Sequence, residues 1–157
     1  MRFWRICRRV HQKPDGEGAR LVGGRWNSPG RPMVYCSLNL SLAALEVLVH
    51  MRAEDLPADY VAQILSAEDL KQESITAAEL PFDWRHPRRR SHLAGMGDTW
   101  LVERRCAILT VPSIVIPEET NVLVNPQHPD SQRITARIAR SFQFDARLLH
   151  AGAGSRI

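Results

Sequence analysis

The segment Gly23-Gly24-Arg25-Trp26-Asn27-Ser28-Pro29-Gly30 runs into the apolar stretch Met33-Val34-Tyr35-Cys36-Ser37. Glycine, proline and asparagine predict a loop for the first stretch, and valine, tyrosine and their apolar neighbours predict a buried strand for the second. Arg25 is either a surface residue in a glycine turn or a phosphate ligand. The second role suits an arginine beside glycines, because the backbone can come close and the guanidinium can pair with two oxyanion oxygens.

A helix is predicted directly after this strand. Asn39 or Ser41 caps it, and the apolar run continues to about Arg52. On a helical wheel the apolar side chains cover nearly the whole circumference, which predicts a helix buried on most sides. Glu46 emerges from that apolar surface, so it either pairs with an arginine at the rim or acts as a desolvated carboxylate in catalysis. His50, one turn later, either supports Glu46 or is an ordinary rim histidine.

Strands and helices are mixed along the rest of the chain. Strands or extended segments are predicted at 2–7, 59–66, 106–111, 113–116, 121–126 (which ends in a turn) and 142–145. A helix is predicted at about 93–105 and a short one after Pro129, whereas 11–32 is predicted as a long loop and 67–92 as mostly irregular. Because regular β-α alternation is missing, the sequence predicts an α+β domain and not a parallel doubly wound sheet.

Length and composition fit one globular domain. The chain has 157 residues, of which 44% are hydrophobic and 24% charged. We expect a single domain over 1–150 and a flexible tail over 151–157. No apolar run approaches the roughly 20 residues that a membrane span needs, and arginines stand where a signal peptide would need a hydrophobic segment. These features predict a soluble, cytoplasmic protein without membrane contact.

The metal-binding side chains show no ligand pattern. Cys7, Cys36 and Cys106 are far apart and each has apolar neighbours, which is typical of small buried thiols. The histidines lack metal-ligand spacing, so no metal site is predicted.

One segment concentrates positive charge. Residues 84–92 carry four arginines and two histidines, in a chain whose net charge is +4. The segment is either a solvated loop or a patch for an acidic partner or nucleic acid. Without a recognition helix or interleaved aromatic residues, it is weak support for direct nucleic-acid binding.

The remaining candidates also have ordinary explanations. Tyr35 is either a core aromatic with a satisfied hydroxyl or a flat surface for a ligand ring. Ser113 follows a proline at a strand kink, where a turn stabilised by the serine side chain is the ordinary role. The turn at 125–130 either braces the site or caps the next helix. The residues alone therefore predict a phosphate-binding pocket with a carboxylate.

The order and spacing of these stretches resemble the RES-domain family, the toxins of bacterial type II toxin–antitoxin modules. The matching stretches are 3–6, 24–30, 34–37, 41–50, 111–113, 121–130 and 144–148. The arginine, glutamate and serine that name the family fall on Arg25, Glu46 and Ser113. Other serines near matching segments are Ser37, Ser41 and Ser131.

The resemblance implies a fold similar to ADP-ribosyltransferases, with mixed or antiparallel split sheets and flanking helices. It also implies NAD+ as substrate, without a metal. Arg25, together with Arg5, would hold the pyrophosphate, and Tyr35 would stack on the nicotinamide ring. Glu46 would contact a ribose hydroxyl and stabilise the cationic centre, while Ser113 would position the substrate or the carboxylate.

By this resemblance, the chain is expected to be a toxin that cleaves the nicotinamide–ribose bond of NAD+ and passes ADP-ribose to phosphate or water. The alternatives are a mono-ADP-ribosyltransferase that modifies a cellular protein and, in a different class, a non-catalytic binding module. A ribonuclease is a third option, weakened by the lack of a histidine pair or acidic cluster. The implied partner is a cognate helix-turn-helix (Xre-type) antitoxin covering the pocket, so contact with nucleic acid would be indirect.

Overall fold

A single mixed sheet forms the frame of the molecule. The computed structural model describes residues 1–51 and 57–149. The strands in these ranges are β1 Arg2–Arg8, β2 Val34–Ser37, β3 Tyr60–Ser66, β4 Gln72–Ser74, β5 Ile108–Pro112, β6 Thr120–Val124 and β7 Thr135–Ser141. The α-helices are α1 Glu17–Val22, α2 Leu40–Leu48 and α3 Arg90–Glu103. The strand order β4-β5-β6-β2-β1-β3-β7, with only β4 and β5 parallel, confirms the predicted α+β class.

The sheet is split between its two central strands. β1 pairs with β3 along all seven of its residues, and β2 pairs with β6 along all four. β1 and β2, in contrast, are paired only at Trp4 and Ser37. The halves β4-β5-β6-β2 and β1-β3-β7 are therefore joined at one point, and a cleft opens where the two strands separate. This arrangement confirms the predicted split sheet.

Helix α3 packs on the sheet and fixes the position of the glycine-rich loop, which is residues 23–33 between α1 and β2. Leu93 and Trp100 are buried in one core cluster with Trp26 from that loop. The packing is close at Gly97, because a Cβ there would collide with the Trp26 carbonyl oxygen. The loop between α1 and β2 is therefore held against α3 by shape as well as by burial.

Several helical segments differ from the sequence prediction. The predicted loop 11–32 contains α1, and α3 begins at Arg90, three residues before the predicted start. Asn39 caps α2 as predicted, by accepting a hydrogen bond from the Leu42 N–H at 2.8 Å. The prediction of a helix buried on most sides holds in part: Leu42 and Ala43 are buried and the other residues of α2 except exposed Ser41 are half-buried, while Val49 beyond its end is 55% exposed. The helix ends at Leu48, while the predicted end and the predicted tail 151–157 lie outside the described residues.

Two predicted strands are wrong. The chain turns at 113–116, because the Ser113 side chain accepts hydrogen bonds from the next backbone N–H groups. The last strand is β7 and not 142–145, where the Phe142 and Phe144 rings pack edge to face with centroids 5.0 Å apart. β7 is an edge strand exposed at all positions except the half-buried Ile138, so it has no strong apolar alternation to reveal it. Among the described residues, no helix is both long and apolar enough to cross a bilayer.

Candidate active site

The cleft between β1 and β2 forms a pocket of about 600 Å³. Its walls come from both strands, from α2 and from the loop between α1 and β2. Four of the predicted site residues lie on it: Arg5, Arg25, Tyr35 and Glu46. Its volume is within the usual range for small-molecule sites. The pocket thus brings together these four side chains, which are up to 41 positions apart in sequence.

Tyr35 anchors the glycine-rich loop through its hydroxyl. The hydroxyl accepts a hydrogen bond from the Trp26 N–H at 2.9 Å and donates to Asn27 Oδ1 at 2.7 Å. Burial raises the pKa of Tyr35, so the hydroxyl keeps its proton and can donate. Gly24 is required nearby, because a Cβ there would collide with this hydroxyl. The tyrosine therefore shapes the loop while its side chain also lines the pocket.

Asn27 completes the loop. Its side-chain amide donates to the carbonyl oxygens of Ala19 at 2.9 Å, Ser28 at 3.2 Å and Arg31 at 2.9 Å. Asn27 is 1% exposed, so these bonds satisfy an amide that would otherwise be buried without partners. The loop is consequently tied to α1 and to itself, and this order fixes the backbone that carries Arg25.

Arg25 brings a cation into the pocket. It is half-buried, and its buried Nη1 atom has no hydrogen-bond acceptor among the described residues. Burial lowers the pKa of Arg25; the charge of Arg90 acts in the same direction, while Glu46 opposes it. A buried donor without an acceptor costs about 1–3 kcal/mol. An anionic ligand in the pocket would supply the missing acceptor.

Glu46 is held by hydrogen bonds to one of its two carboxylate oxygens. The Ser113 hydroxyl donates to Glu46 Oε1 at 2.7 Å, and the Asn121 amide donates to the same oxygen at 2.5 Å. The Ser37 hydroxyl in turn donates to Asn121 Oδ1 at 2.7 Å. Glu46 Oε2 accepts no hydrogen bond from the described part of the chain. The carboxylate is therefore oriented from the sheet through one oxygen, and its second oxygen can interact with a ligand.

Ser113 reaches the pocket only through Glu46. It is fully buried, and its Oγ also accepts the N–H groups of Val115 at 3.0 Å and Ile116 at 3.1 Å. The ordinary turn role of this serine thus occurs together with a contact to Glu46. Because its lone pairs are used by the turn, its proton is directed to the carboxylate.

Other candidates have smaller or different roles. Arg5 lies on the pocket wall and makes one long contact, from Nη1 to Gln63 Oε1 at 3.4 Å. His50 is exposed at the pocket rim. In the turn at 125–130, the Asn125 amide donates to a carbonyl of α3, and His128 Nδ1 accepts the Asp130 N–H. That turn therefore caps the following 3₁₀ helix, and none of its described residues lies on the pocket wall.

Sequence reasoning missed two residues at the site. Asn121 lies on β6 and contacts the catalytic candidate Glu46, but an asparagine near a predicted turn gives no signal of such a role. Arg90 lies on the pocket wall, although it belongs to the basic segment 84–92. The charge of Arg90 was visible in the sequence, but the direction of its side chain depends on where α3 begins.

The fold and the site define the class of this protein. It is a small α+β domain with a split sheet, and its cleft is lined by an arginine, a tyrosine and a glutamate that a serine contacts by a hydrogen bond. The family model described as RES domain matches residues 2–145. The chain therefore belongs to the RES-domain family. Toxins of toxin–antitoxin systems belong to the same family.

Several relatives share most of their length with this chain. A protein of Sphingobium sp. (strain YBL2), named Prs ADP-ribosylating toxin, is 38% identical over 94% of this chain and 96% of its own. A protein of Photorhabdus laumondii named Toxin Res is 35% identical over 87% and 88%. The toxin of the crystal structure of the M. tuberculosis MbcT-MbcA toxin–antitoxin complex superposes with a TM-score of 0.69, covering 87% of this chain and 80% of the other at 19% identity, which shows a shared fold.

Proposed function

We propose that this protein cleaves the bond between nicotinamide and ribose in NAD+ and passes the ADP-ribosyl group to phosphate or water. One observation carries the proposal: within the described ranges, an arginine whose buried Nη1 has no acceptor and a glutamate whose Oε2 accepts no hydrogen bond share a pocket of about 600 Å³. Such a pocket suits a ligand with both phosphate groups and a reacting centre that becomes cationic. Membership of the RES-domain family supports the same chemistry.

We assign each of the five predicted site residues a role in this reaction. Arg25, with Arg5, binds the diphosphate through charge-assisted hydrogen bonds. Tyr35, whose hydroxyl is used by the loop, presents its ring to nicotinamide. Glu46 accepts a hydrogen bond from a ribose hydroxyl with Oε2 and stabilises the positive charge at the anomeric carbon. Ser113 positions Glu46 through Oε1.

The reaction is balanced without a further reagent. The carbon–nitrogen bond at the anomeric carbon breaks, and its electron pair leaves with nicotinamide, which becomes neutral. An oxygen of phosphate or water forms the new bond to this carbon and releases its proton to solvent. The leaving group already carries a positive charge in NAD+, so the carboxylate only has to stabilise the transition state.

A second acceptor is a cellular protein. The relative from Sphingobium, at 38% identity, is named for ADP-ribosylating Prs, and this name favours protein modification as the alternative for the present chain. The two reactions use the same Arg25, Tyr35 and Glu46, because they differ only in which nucleophile reaches the anomeric carbon. The acceptor therefore has to be identified by experiment.

An antitoxin is the proposed partner. The MbcT-MbcA structure contains a toxin and an antitoxin, and the toxin of that complex has the fold of this chain. We expect a cognate helix-turn-helix (Xre-type) protein that acts in the cytoplasm and covers the entrance of the pocket. Co-expression should restore growth that the toxin alone inhibits, and purification should yield both chains together. Growth inhibition that persists when each helix-turn-helix protein encoded next to the toxin is co-expressed with it would contradict this assignment.

The test of the reaction is incubation of the purified protein with NAD+, with and without phosphate, while free nicotinamide and the ADP-ribosyl product are followed. We expect nicotinamide release that falls at least about a hundredfold in Glu46→Gln, because the amide cannot stabilise the cationic centre. Glu103→Gln, at the exposed end of α3, is the matched control and should retain activity. Phosphate-dependent release identifies phosphate as acceptor.

Other outcomes identify the alternatives. Release that requires a cell extract and labels a protein band would favour protein ADP-ribosylation. No release under any of these conditions, with Glu46→Gln still folded and still inhibiting growth, would contradict catalysis and favour a binding module.

A further inference from the structure

The four arginines of the basic segment 84–92 are not equivalent. Arg88 and Arg89 both bind Asp83, with Arg88 Nη2 at 2.5 Å and Arg89 Nε at 2.7 Å from its carboxylate oxygens. Arg85 Nε donates to the Ile114 carbonyl at 3.1 Å. The Arg90 guanidinium forms no hydrogen bond or ion pair with any residue in 1–51 or 57–149, although the Arg90 backbone N–H donates to the Pro87 carbonyl. Three arginines are therefore occupied by the protein itself, and the fourth is available.

Arg90 faces the same pocket as Arg25. Both residues lie on its wall, one from the start of α3 and the other from the glycine-rich loop. The charge of Arg90 contributes, after burial, to lowering the pKa of Arg25. Two guanidinium groups that face one cavity repel each other, while Arg25 also has an unsatisfied buried donor. A ligand with two or more oxyanion oxygens would relieve both effects.

We propose that Arg90 is a second phosphate-binding residue, which with Arg25 forms a two-arginine clamp on a phosphate group in the pocket. The proposal rests on the proposed function, because it assigns one more contact at the same site. The phosphate is either the diphosphate of the dinucleotide or the inorganic phosphate that accepts ADP-ribose. Both present the same chemistry to a guanidinium.

Direct binding measurements test the clamp without requiring turnover. ADP-ribose and inorganic pyrophosphate are titrated by calorimetry into the wild-type protein, Arg90→Gln and Arg90→Lys, with nicotinamide riboside as a probe without phosphate. We expect Arg90→Gln to weaken ADP-ribose binding by about tenfold or more and riboside binding by less than about twofold. Arg90→Lys should recover part of the loss, because it keeps the charge and loses the two-pronged geometry.

A neighbouring arginine provides the control. Arg88→Gln removes the same charge from the same segment, but from a side chain that binds Asp83 outside the pocket wall. It should leave ADP-ribose binding unchanged. Equal weakening in Arg88→Gln and Arg90→Gln would show a general effect of charge and would overturn the clamp.

Kinetics separate the two sources of phosphate. If Arg90 holds the dinucleotide, Arg90→Gln raises KM for NAD+ and leaves KM for phosphate unchanged; if it holds the acceptor, the reverse is expected. ADP-ribose binding that weakens in Arg90→Gln, without nicotinamide release by the wild type, would contradict the proposed reaction and still support the clamp. Absence of pyrophosphate and ADP-ribose binding in the wild type, or unchanged affinities in Arg90→Gln, would overturn the clamp itself.

Discussion

Ser113 Oγ donates a hydrogen bond of 2.7 Å to Glu46 Oε1, between residues that are 67 positions apart in the chain. The donor lies in the turn after β5 and the acceptor on α2, so the bond connects the sheet to the helix at the wall of the pocket. Ser113 Oγ is itself fixed by two backbone N–H groups. The carboxylate is thus oriented by a rigid turn before any ligand enters, as expected of a preorganised site.

Replacing this serine should separate catalysis from binding. Ser113→Ala removes one of the two hydrogen bonds to Glu46 Oε1 and leaves the N–H groups of two half-buried residues without their acceptor. We expect nicotinamide release to fall about ten- to a hundredfold in kcat with little change in KM, because the carboxylate loses its orientation. The free energy of unfolding should fall by about 1–3 kcal/mol. Steady-state kinetics and urea denaturation measure both effects.

Ser131→Ala is the matched control for this variant. Ser131 also donates one hydrogen bond, to the Pro126 carbonyl at 3.1 Å, but it lies outside the pocket wall. Its replacement should lower stability slightly and leave kcat unchanged. A normal kcat in Ser113→Ala would show that Asn121 alone orients the carboxylate.

The Tyr35 hydroxyl should matter for the loop more than for the chemistry. Tyr35→Phe keeps the ring and removes the group that bonds Trp26 and Asn27. We expect the free energy of unfolding to fall by about 1–3 kcal/mol and KM for NAD+ to rise, because the loop that carries Arg25 loses its anchor. Thermal denaturation and KM measurements check this.

Another tyrosine controls for the loss of a hydroxyl. Tyr60 is buried beside Phe144, and its hydroxyl forms no hydrogen bond within the described residues. Tyr60→Phe should therefore change neither stability nor KM appreciably. If Tyr35→Phe lowered kcat strongly at unchanged stability and KM, the hydroxyl would have a direct catalytic role, contrary to its position in the loop.

Two glycines of α3 should respond in opposite directions to the same substitution. A Cβ at Gly97 would collide with the Trp26 carbonyl oxygen, whereas a Cβ at Gly95 has open space around it. Gly97→Ala should lower the free energy of unfolding by about 1–3 kcal/mol and weaken ligand binding, since the loop has to move. Gly95→Ala should raise stability by about 0.5–1 kcal/mol through helix propensity and leave binding unchanged. Denaturation curves and ADP-ribose titrations decide between these outcomes, and equal effects would contradict the packing.

Much of this site could be predicted from the sequence because its parts have local signatures. The glycines around Arg25, the strand with Tyr35 and the apolar surface around Glu46 are all visible within 30 residues. The sequence left Asn39 and Ser41 as candidates for the cap of α2, and the structure uses Asn39. The class of the fold follows from the absence of regular β-α alternation. The position of the pocket became visible only in the structure, where β1 and β2 separate beyond their single pairing at Trp4 and Ser37.

What escaped prediction depends on contacts between distant segments. Asn121 reaches Glu46 from a strand 75 positions further on, and no local pattern marks an asparagine as the partner of a carboxylate. Arg88 and Arg90 are alike in the sequence, but in the structure Asp83 forms an ion pair with Arg88 and not with Arg90. β7 was missed because an exposed edge strand needs no apolar alternation. In each case tertiary contacts decided what propensity could not.

Asp83 should make stability depend on pH in the acid range. The guanidinium groups of Arg88 and Arg89 hold the pKa of Asp83 at about 2, below its ordinary value of 3.8. A carboxyl whose pKa is lowered by folding stabilises the protein above its unfolded pKa, and this contribution is lost as the pH falls through the folded value. Asp83→Asn should therefore lower the urea midpoint at neutral pH, and its difference from the wild type should shrink between pH 3.8 and about 2.

Urea unfolding of both proteins at a series of pH values measures this difference. Because Asp83 also binds Arg89, the residue directly before Arg90 at the start of α3, the variant should also weaken ADP-ribose binding at neutral pH through displacement of Arg90. Arg90→Gln provides the comparison: in the Arg90→Gln background, Asp83→Asn should cause no further loss of affinity while its effect on the urea midpoint remains. A difference in midpoint that stays constant down to about pH 2 would show that the carboxylate charge contributes nothing to stability, and an additive loss of affinity would show that Asp83 acts on the pocket independently of Arg90.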